Sequence, residues 1–355
     1  MDKEAIINRL CANAGEVITQ DELRERLNSS DKLTHYIGFE ISGYVHLGTG
    51  LMSALIMKDL TDLGVKCTIW LADWHSAING KLDGTQATAA RIGQGYFTEA
   101  MQASYAAVGG NPEDLEFRLA SNWLQKDFPK YWETLLTVAR HTSLSRILRS
   151  IDITGKAAGD NTDYARTLYP AMQAADIFYQ NIDIAHAGLD QRKIHAVVRD
   201  VAHKVTPSRP KPIAIHHALL PSLNGKQLKM SKSSPDTAIF VHDTPEDITR
   251  KIKKAFATEK DIENNPVLNW TKSLLFYARQ HPFRIERGPQ HGGDVEFNEY
   301  DQLEEAYASG DIHPTDLKNA LTQELINLLT PVRQHFAKPE VQAKKQALDK
   351  ILKNA

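Results

Sequence analysis

The sequence of 355 residues predicts an α/β protein in which a parallel-sheet domain with a helical insertion is followed by an all-helical domain. Up to about residue 243, short apolar runs alternate with amphipathic stretches, which is typical of parallel strands joined by crossover helices. From residue 244 onward the apolar residues recur with helical spacing only. We therefore predict a first domain over 1–243 and a second over 244–355.

The elements of the first domain are predicted from these patterns. The first 30 residues are predicted as helix. Residues 120–165 have helical periodicity without a strand signal, which indicates an insertion into the sheet. Strands are predicted at 35–41, 67–73, 115–121, 182–188 and 211–220. Helices are predicted between them at 50–63, 84–108 and 190–205.

The second domain begins with a clear helix start. Thr244 is followed by Pro245, Glu246 and Asp247, which places proline and acidic residues in the first turn, where they are favoured. The predicted helices of this domain are 245–256, 266–280, 298–309, 314–336 and 339–353. We expect them to pack as a separate unit.

Composition limits the classes of function. With 42% hydrophobic residues, 24% charged residues and a net charge of −2, the chain is an ordinary globular protein, and any nucleic-acid contact must use local patches. Cys11 and Cys67 have no metal-ligand spacing, so we expect buried thiols and no protein-bound metal. Neither a signal-peptide pattern nor a run of 18 apolar residues is found, which predicts a cytoplasmic protein without membrane contact.

The stretch "SGYVHLGTG" (42–50) connects a predicted strand to a predicted helix. A glycine-bearing turn after a strand presents backbone N–H groups and a helix N-terminus, which together bind anions. His46 can donate to phosphate oxygens, and Gly48 lets a ligand approach the backbone. Thr49 can donate to a phosphate or ribose oxygen, or cap the helix. The alternative is a tight turn with a surface histidine.

A second stretch, "NGKQLKMSKSSPDT" (224–237), places Lys226, Lys229 and Lys232 among serines in a loop without large side chains. Lysines bind phosphate as flexible point charges, and a loop that closes over a triphosphate would stabilise a transition state. The alternative is a solvated linker, although the string "KMSKS" is much rarer by chance than lysine–serine loops in general.

A third stretch, "TLYPAMQAADIFYQ" (167–180), carries Tyr169, Gln173 and Asp176 at positions i, i+4 and i+7. On a helix these side chains share one face, and Pro170 fits the first turn of that helix. The rest of the helix is apolar and should be buried, where unpartnered polar groups are costly. This favours a pocket for a polar ligand over the alternative of a solvated face.

"HLGT" and "KMSKS" resemble the two ATP motifs of class I aminoacyl-tRNA synthetases. With Tyr36 in "YIGFE" and Gln191 in "GLDQRKIH", the chain resembles the archaeal/eukaryotic-type tyrosyl-tRNA synthetases from Tyr36 to about residue 338. The resemblance implies a Rossmann-like catalytic domain, a helical connective insertion that forms a homodimer interface, and a C-terminal anticodon-binding domain. It implies attack of the tyrosine carboxylate on the α-phosphate of ATP, which arrives with Mg²⁺ as a substrate complex, followed by transfer to the 3′ end of tRNA(Tyr).

The resemblance also implies roles for individual residues. Tyr36 and Asp176 would bind the substrate phenol, and Ala72 and His75 would lie near its ring. The α-amino end would be held by Tyr169, Gln173 and Gln191. Catalysis would fall to His46, Thr49, Lys229 and Lys232, and the remaining ATP contacts to Gly38, Gly48, Met230 and Ser231. Arg192 and Lys193 would contact the acceptor end of the tRNA, and His313 and Asp316 the anticodon.

Besides His291, which stands in the second domain where the resemblance implies a larger aromatic side chain, two positions of the first domain depart from the family pattern. The family motif is His-x-Gly-His, and Thr49 stands in place of the second histidine. Trp70 stands where the resemblance implies an aliphatic side chain. These departures concern the ATP turn and the shape of the amino-acid pocket.

Three alternatives remain open from sequence alone. A tryptophan enzyme would share the fold and both ATP motifs, but Asp176 and Tyr36 suit an indole poorly because an indole has one donor and no acceptor. A non-catalytic RNA-binding protein would not need an intact "KMSKS". A smaller nucleotidyltransferase would leave about the last 110 residues unexplained.

Overall fold

The computed structural model describes residues 2–29, 32–151, 163–225, 235–278 and 282–353. Its centre is a six-stranded sheet with the order β1-β6-β5-β2-β3-β4. All neighbouring strands are parallel except β1, which is antiparallel to β6. The strands are β1 (Glu16–Ile18), β2 (Thr34–Phe39), β3 (Lys66–Leu71), β4 (Leu115–Leu119), β5 (Ile184–Gly188) and β6 (Ile213–His217).

The five predicted parallel strands are confirmed, and β1 was missed. The prediction of helix throughout the first 30 residues is wrong at Gly15 and the strand that follows it. A Cβ atom at Gly15 would lie 3.1 Å from the backbone nitrogen of Ala218, so the missing side chain lets this segment approach the end of β6 and pair with it. A strand of three residues is too short to give an alternating pattern.

Helices cover the sheet and form the insertion after β4. They are α1 (Lys3–Asn13), α2 (Gln20–Ser29), α3 (Leu47–Asp62), α4 (Asp73–Ile78), α5 (Gln86–Ile92), α6 (Thr98–Ala107), α7 (Ala120–Leu124), α8 (Phe128–Arg140), α9 (Leu144–Ser150), α10 (Tyr164–Tyr179) and α11 (Arg192–Val205). A π-helical turn over Gly93–Phe97 joins α5 to α6, so the predicted helix over 84–108 exists with one distorted turn. The described part of the insertion is helical, as predicted.

The C-terminal region is helical apart from one short ribbon. Its helices are α12 (Pro245–Lys253), α13 (Pro266–Trp270), α14 (Tyr300–Ser309), α15 (Pro314–Leu328), α16 (Thr330–Phe336) and α17 (Pro339–Leu352). The prediction of a purely helical domain missed β7 (Phe283–Ile285) and β8 (Val295–Phe297), which pair antiparallel. The predicted helix over 314–336 is interrupted at Leu329, because Pro331 in the first turn of α16 has no N–H to continue the α15 ladder.

The C-terminal helices pack directly on the first domain. One hydrophobic cluster runs from α1 through α3 and α6 to α17. Glu99 on α6 pairs with His335 and Lys344, and Tyr44, in the turn before α3, donates to the Asp349 carboxylate on α17. A second cluster surrounds the other face of the sheet and includes α8, α10 and α11. The site described next lies within this second cluster, at the carboxyl ends of β2 and β3.

Candidate active site

The turn between β2 and α3 is shaped by its glycines. Gly43 has φ of +134°, a conformation that side chains rarely adopt. Gly50 is packed so closely that a Cβ would lie 2.6 Å from the Ser104 hydroxyl and 2.7 Å from a Val241 methyl. The predicted glycine-bearing turn at a helix N-terminus is therefore present, and its shape depends on these two residues.

His46 caps α3 with its own imidazole. The backbone N–H of Thr49 donates to His46 Nδ1 at 3.2 Å, so Nε2 carries the proton in the neutral ring. Thr49 Oγ1 lies 3.3 Å from Nε2, which makes the threonine oxygen the acceptor and leaves its own hydrogen for another partner. The predicted option that Thr49 caps the helix is wrong, because Thr49 lies within the first turn and His46 is the capping residue.

The segment after the second motif pairs with the first. The Leu47 N–H donates to the Ile239 carbonyl at 3.0 Å, and the Val241 N–H donates to the Val45 carbonyl at 3.0 Å. Between them, His46 and Phe240 form an isolated antiparallel β-bridge. Backbone pairing between 45–47 and 239–241 therefore joins the first motif to the segment that follows the second. The predicted residues Lys229, Met230, Ser231 and Lys232 lie outside the described residues, so their roles stay predictions.

The three polar residues of the third stretch lie on α10, on the face that borders the second cluster. Asp176 is only 1% exposed, Tyr169 is buried and Gln173 is half-buried. The prediction that Pro170 occupies the first turn is wrong, because Asp163 caps the helix and α10 begins at Tyr164. Pro170 therefore lies inside the helix, where its missing N–H interrupts one backbone hydrogen bond.

Asp176 is held by two donors from other elements. The Trp70 indole N–H on β3 donates to Oδ2 at 3.0 Å, and the Tyr131 hydroxyl on α8 donates to Oδ1 at 3.2 Å. Burial raises the pKa of Asp176 well above its usual range, and the hydrogen bonds from Tyr131 and Trp70 oppose that rise. The predicted phenol-binding carboxylate is thus a buried acceptor that already has two protein donors.

His75 is buried beside Asp176 without a hydrogen-bond partner on either ring nitrogen. The His75 and Tyr169 rings pack edge to face with their centres 4.6 Å apart, and His75 Nε2 lies 3.8 Å from Asp176 Oδ2. Burial lowers its pKa to about 4, so the ring is neutral at pH 7. A structural histidine of this kind would be paired, so the orphaned nitrogens favour a ligand-binding role.

The side-chain amides of Gln173 and Gln191, which were predicted to hold the α-amino end of the substrate, contact each other. Gln173 Nε2 donates to Gln191 Oε1 at 3.3 Å, and Gln173 Oε1 is buried without a partner. Gln191 comes from the short 3₁₀ turn that precedes α11. The two glutamines therefore bring α10 and the end of β5 to one site, with an acceptor left for an ammonium group.

Tyr36 depends on Gly38 for its position. A Cβ at Gly38 would lie 2.2 Å from the Tyr36 hydroxyl, so the ring lies along β2 over the glycine. Burial and the Asp176 charge raise the pKa of Tyr36 well above its usual range, which keeps the phenol protonated. Gly38 was predicted as an ATP contact, and its described surroundings give it this additional packing role.

Three residues of the site were not assigned by the sequence. Trp70 and Tyr131 contact Asp176 as described above. Glu40, at the end of β2, hydrogen-bonds Tyr169 and accepts from Asn79 at 2.7 Å. The position of Glu40 at a strand's carboxyl end was the one available signal, since ligands of α/β sheets bind there.

Known proteins resemble this chain in sequence and fold. The family model for class I tRNA synthetases (W and Y) matches residues 28–330. The tyrosine–tRNA ligase of Thermococcus sibiricus is 44% identical over 346 residues, which cover 91% of this chain and 92% of that one. The crystal structure of the Pyrococcus horikoshii tyrosyl-tRNA synthetase with L-tyrosine superposes with a TM-score of 0.92 at 41% identity, covering 98% of this chain and 100% of that chain.

The chain belongs to the archaeal-type tyrosyl-tRNA synthetases of class I. It is therefore an aminoacyl-tRNA synthetase, and the resemblance stated from the sequence is confirmed. The tryptophanyl-tRNA synthetase of Aeropyrum pernix reaches a TM-score of 0.64 at 19% identity, which shows a common fold alone.

The residues that the tyrosyl-tRNA synthetase resemblance assigns to tRNA lie on the surface and have protein partners. Arg192 is exposed, and its Nε atom lies 2.8 Å from Glu16 Oε1. This ion pair offsets the unfavourable interaction of a cation with the N-terminus of α11. Exposed Lys193 donates to the Arg149 carbonyl at 3.3 Å. Their tRNA contacts stay predictions.

His313 and Asp316 lie at the start of α15. His313 is exposed and caps the helix by accepting from Thr315 N–H at 3.2 Å, and Asp316 lies in the first turn. The capping role is structural, and it leaves the outer part of the ring open to a base. In the described residues no group of three or more His, Cys, Asp or Glu side chains is arranged to hold a metal, and none of their helices is long and apolar enough to cross a membrane.

Proposed function

We propose that this synthetase activates L-tyrosine with ATP, supplied as the Mg²⁺ complex, and transfers the tyrosyl group to the 3′ end of tRNA(Tyr). The observation that carries the proposal is the polar face of α10. Its carboxylate and phenol are buried together with His75, and both His75 ring nitrogens and Gln173 Oε1 lack a hydrogen-bond partner, which a polar ligand would supply.

Tyrosine recognition follows from the chemistry of these groups. The Asp176 carboxylate accepts from the substrate phenol, and the Tyr36 hydroxyl is the second partner at that end. The Gln173–Gln191 pair and Tyr169 hold the α-ammonium group. A site built around the substrate hydroxyl disfavours phenylalanine, because Asp176 would lose that partner.

Adenylation needs no general base, because the attacking group is the ionised carboxylate of tyrosine. The turn at the start of α3 offers backbone N–H groups and a helix N-terminus to the phosphates. His46 Nε2–H, which is directed to Thr49 in this structure, donates to a phosphate oxygen when ATP binds, and the Thr49 hydroxyl donates toward the triphosphate in place of the second family histidine. Lys229 and Lys232 supply positive charge to the leaving pyrophosphate.

Transfer places the tRNA acceptor end against Arg192 and Lys193, next to Gln191. Arg192 must exchange Glu16 for a phosphate, which is feasible because the pair is half-exposed and such pairs contribute little stability. His313 and Asp316 contact the anticodon by stacking and hydrogen bonding. The enzyme works where tRNA and ATP are present, and we place it in the cytoplasm.

A homodimer is supported by an apolar stripe on the insertion. Phe128, Trp132 and Leu136 recur every fourth residue along α8 and are 54%, 47% and 51% exposed. Leu144 and Leu148 on α9 are exposed as well. A contiguous apolar patch on a soluble domain marks an interface, and a second copy of the same patch is the self-complementary partner that a twofold dimer requires.

The complete reaction is tested by charging tRNA(Tyr) with radiolabelled tyrosine. We expect charging by the parent, and an increase in the KM for tRNA with unchanged tyrosine-dependent pyrophosphate exchange for Arg192→Ala and His313→Asn. Asparagine at 313 keeps the helix cap and removes the ring. Exchange without any charging of tRNA(Tyr) would contradict the proposed second step.

A further inference from the structure

The Asp176 carboxylate is fixed from two sides. Trp70 approaches Oδ2 from β3 and Tyr131 approaches Oδ1 from α8, at 3.0 and 3.2 Å, while Asp176 itself belongs to α10. All three side chains are buried. Neither donor belongs to the residues that the family resemblance assigns to the site, and the resemblance implies an aliphatic residue at position 70.

The two donors limit what the carboxylate can still do. Each carboxylate oxygen has about two acceptor directions, so one direction on each oxygen remains. His75 Nε2 lies 3.8 Å from Oδ2, which is outside hydrogen-bond distance, and it does not compete for these directions. Because the donors come from two different elements, the carboxylate cannot rotate without losing one of its bonds.

We propose that Trp70 and Tyr131 are positioning residues for amino-acid selection, which fix the Asp176 carboxylate so that its remaining acceptor directions receive the phenol of the substrate. This inference rests on the proposed recognition of tyrosine. The indole N–H and the phenol O–H also stabilise the charged form of the carboxylate, which burial alone disfavours. An acceptor that is fixed in position discriminates between tyrosine and phenylalanine more strongly than one that can rotate.

Neighbouring aromatic residues separate this role from simple packing. The ring centres of Trp123 and Trp70 lie 6.5 Å apart, and those of Tyr179 and Tyr131 lie 5.5 Å apart. In the described part of the chain neither donates to Asp176. Trp123→Phe and Tyr179→Phe therefore disturb the same aromatic cluster without removing a donor.

The test compares Trp70→Phe and Tyr131→Phe with these two controls in pyrophosphate exchange. Each of the first two variants keeps a ring and removes one donor to Asp176. We expect the ratio of kcat/KM for tyrosine to that for phenylalanine to fall about tenfold or more, the equivalent of one hydrogen bond to a charged group. The controls lower the melting temperature at most and leave the ratio unchanged.

A pH profile adds a readout that packing would not move. Loss of either donor raises the pKa of Asp176 further, so the acid limb of kcat/KM for tyrosine moves to higher pH. The other titratable groups that face Asp176 are Tyr36, Tyr131, Tyr169, Asp73 and His75. Of these, the phenols are protonated in this range and His75 is neutral above about pH 4.

The outcomes are distinguishable. A parent protein without tyrosine-dependent exchange would remove the proposed function itself. A parent that is active, with both donor variants retaining its tyrosine-to-phenylalanine ratio and its acid limb, would overturn the positioning role. If Trp70→Phe does not fold, Tyr131→Phe alone decides: a reduced ratio supports the proposal and an unchanged ratio overturns it.

Discussion

At the scale of single residues, the turn that we propose to bind ATP contains one imidazole with two tasks. His46 caps α3 through Nδ1 and holds Thr49 through Nε2. An alanine at 46 would therefore change both the helix and the chemistry, and the effect on rate would not be interpretable. Asparagine is a good capping residue and lacks the imidazole, so it separates the two tasks.

We expect His46→Asn to slow tyrosyl-adenylate formation about a hundredfold, the usual effect of removing one donor to developing charge. Thr49→Val should slow it less, because valine keeps the shape and removes one neutral hydroxyl. Single-turnover adenylation measures both rates, and thermal melting controls for the cap. Equal rates for Thr49→Val and the parent would show that Thr49 does not contact the phosphates.

The sequence predicted some of these residues and not others for a simple reason. Tyr169, Gln173 and Asp176 are visible as a periodic pattern because they share one helix. Trp70 meets Asp176 across 106 residues of sequence, and no local pattern records such a contact. His75 could be seen in the sequence, and its lack of a partner could be seen only in the fold.

At the scale of elements, the central sheet contains a ladder of buried histidines. His35 on β2 lies 3.1 Å from His186 on β5, which lies 2.8 Å from His217 on β6. A second pair, His195 on α11 and His216 on β6, meets at 3.0 Å. Apart from His195 on α11, these residues belong to predicted strands as part of apolar runs, so their mutual hydrogen bonds follow from the packing of the fold and not from any sequence motif.

We expect this ladder to make the protein sensitive to acid. Burial lowers the pKa of His35 and His195 to about 3 and that of His217 to about 4, from an ordinary value of 6.5. Because the folded-state pKa is depressed, the stability is fully present above about pH 6.5 and is lost as the pH falls toward 4. Below about pH 6.5, each such histidine lowers the free energy of unfolding by about 1.4 kcal/mol for every unit by which the pH falls.

Denaturant unfolding between pH 7 and pH 5 checks this expectation. Most carboxylates stay ionised in that window, so the histidines dominate the change in the free energy of unfolding. The free energy should fall by several kcal/mol, with uptake of protons on unfolding. An equal free energy of unfolding at both pH values would mean that these histidines are hydrated or already protonated in the folded state.

At the scale of the whole molecule, the last described helix contacts the turn that we propose to bind ATP. Tyr44 lies in the turn and donates to Asp349 on α17, and Lys345 lies 5.3 Å from the centre of the Tyr44 ring. The family match ends at residue 330, so α17 lies beyond it. The boundary predicted near residue 243 is therefore crossed by packing, and the sequence could not show it because the partners are 305 residues apart.

A double-mutant cycle measures this contact. We expect Tyr44→Phe and Asp349→Asn each to lower the free energy of unfolding, with a coupling energy of about 1 kcal/mol. Lys58→Met and Asp62→Asn provide a matched control, because that pair is a surface bond within α3. Additive effects of Tyr44→Phe and Asp349→Asn would show that the two residues do not act together in solution.

Assembly is the second property at this scale. Leu136→Glu places a charge in the middle of the apolar stripe on α8, and burying it in a dimer would be costly. We expect sedimentation analysis to show dimers for the parent and monomers for Leu136→Glu. Gln323→Glu, an exposed change on α15, should leave the dimer intact. A monomeric parent would remove the proposed interface.

The proposed function depends most on which amino acid binds beside Asp176. The direct measurement is ATP–pyrophosphate exchange by the purified protein with tyrosine, phenylalanine or tryptophan as the only amino acid. We expect rapid exchange with tyrosine, much slower exchange with phenylalanine and none with tryptophan, and loss of the preference for tyrosine in Asp176→Ala. Exchange driven by tryptophan, or none with any amino acid from a folded protein, would contradict the proposed function.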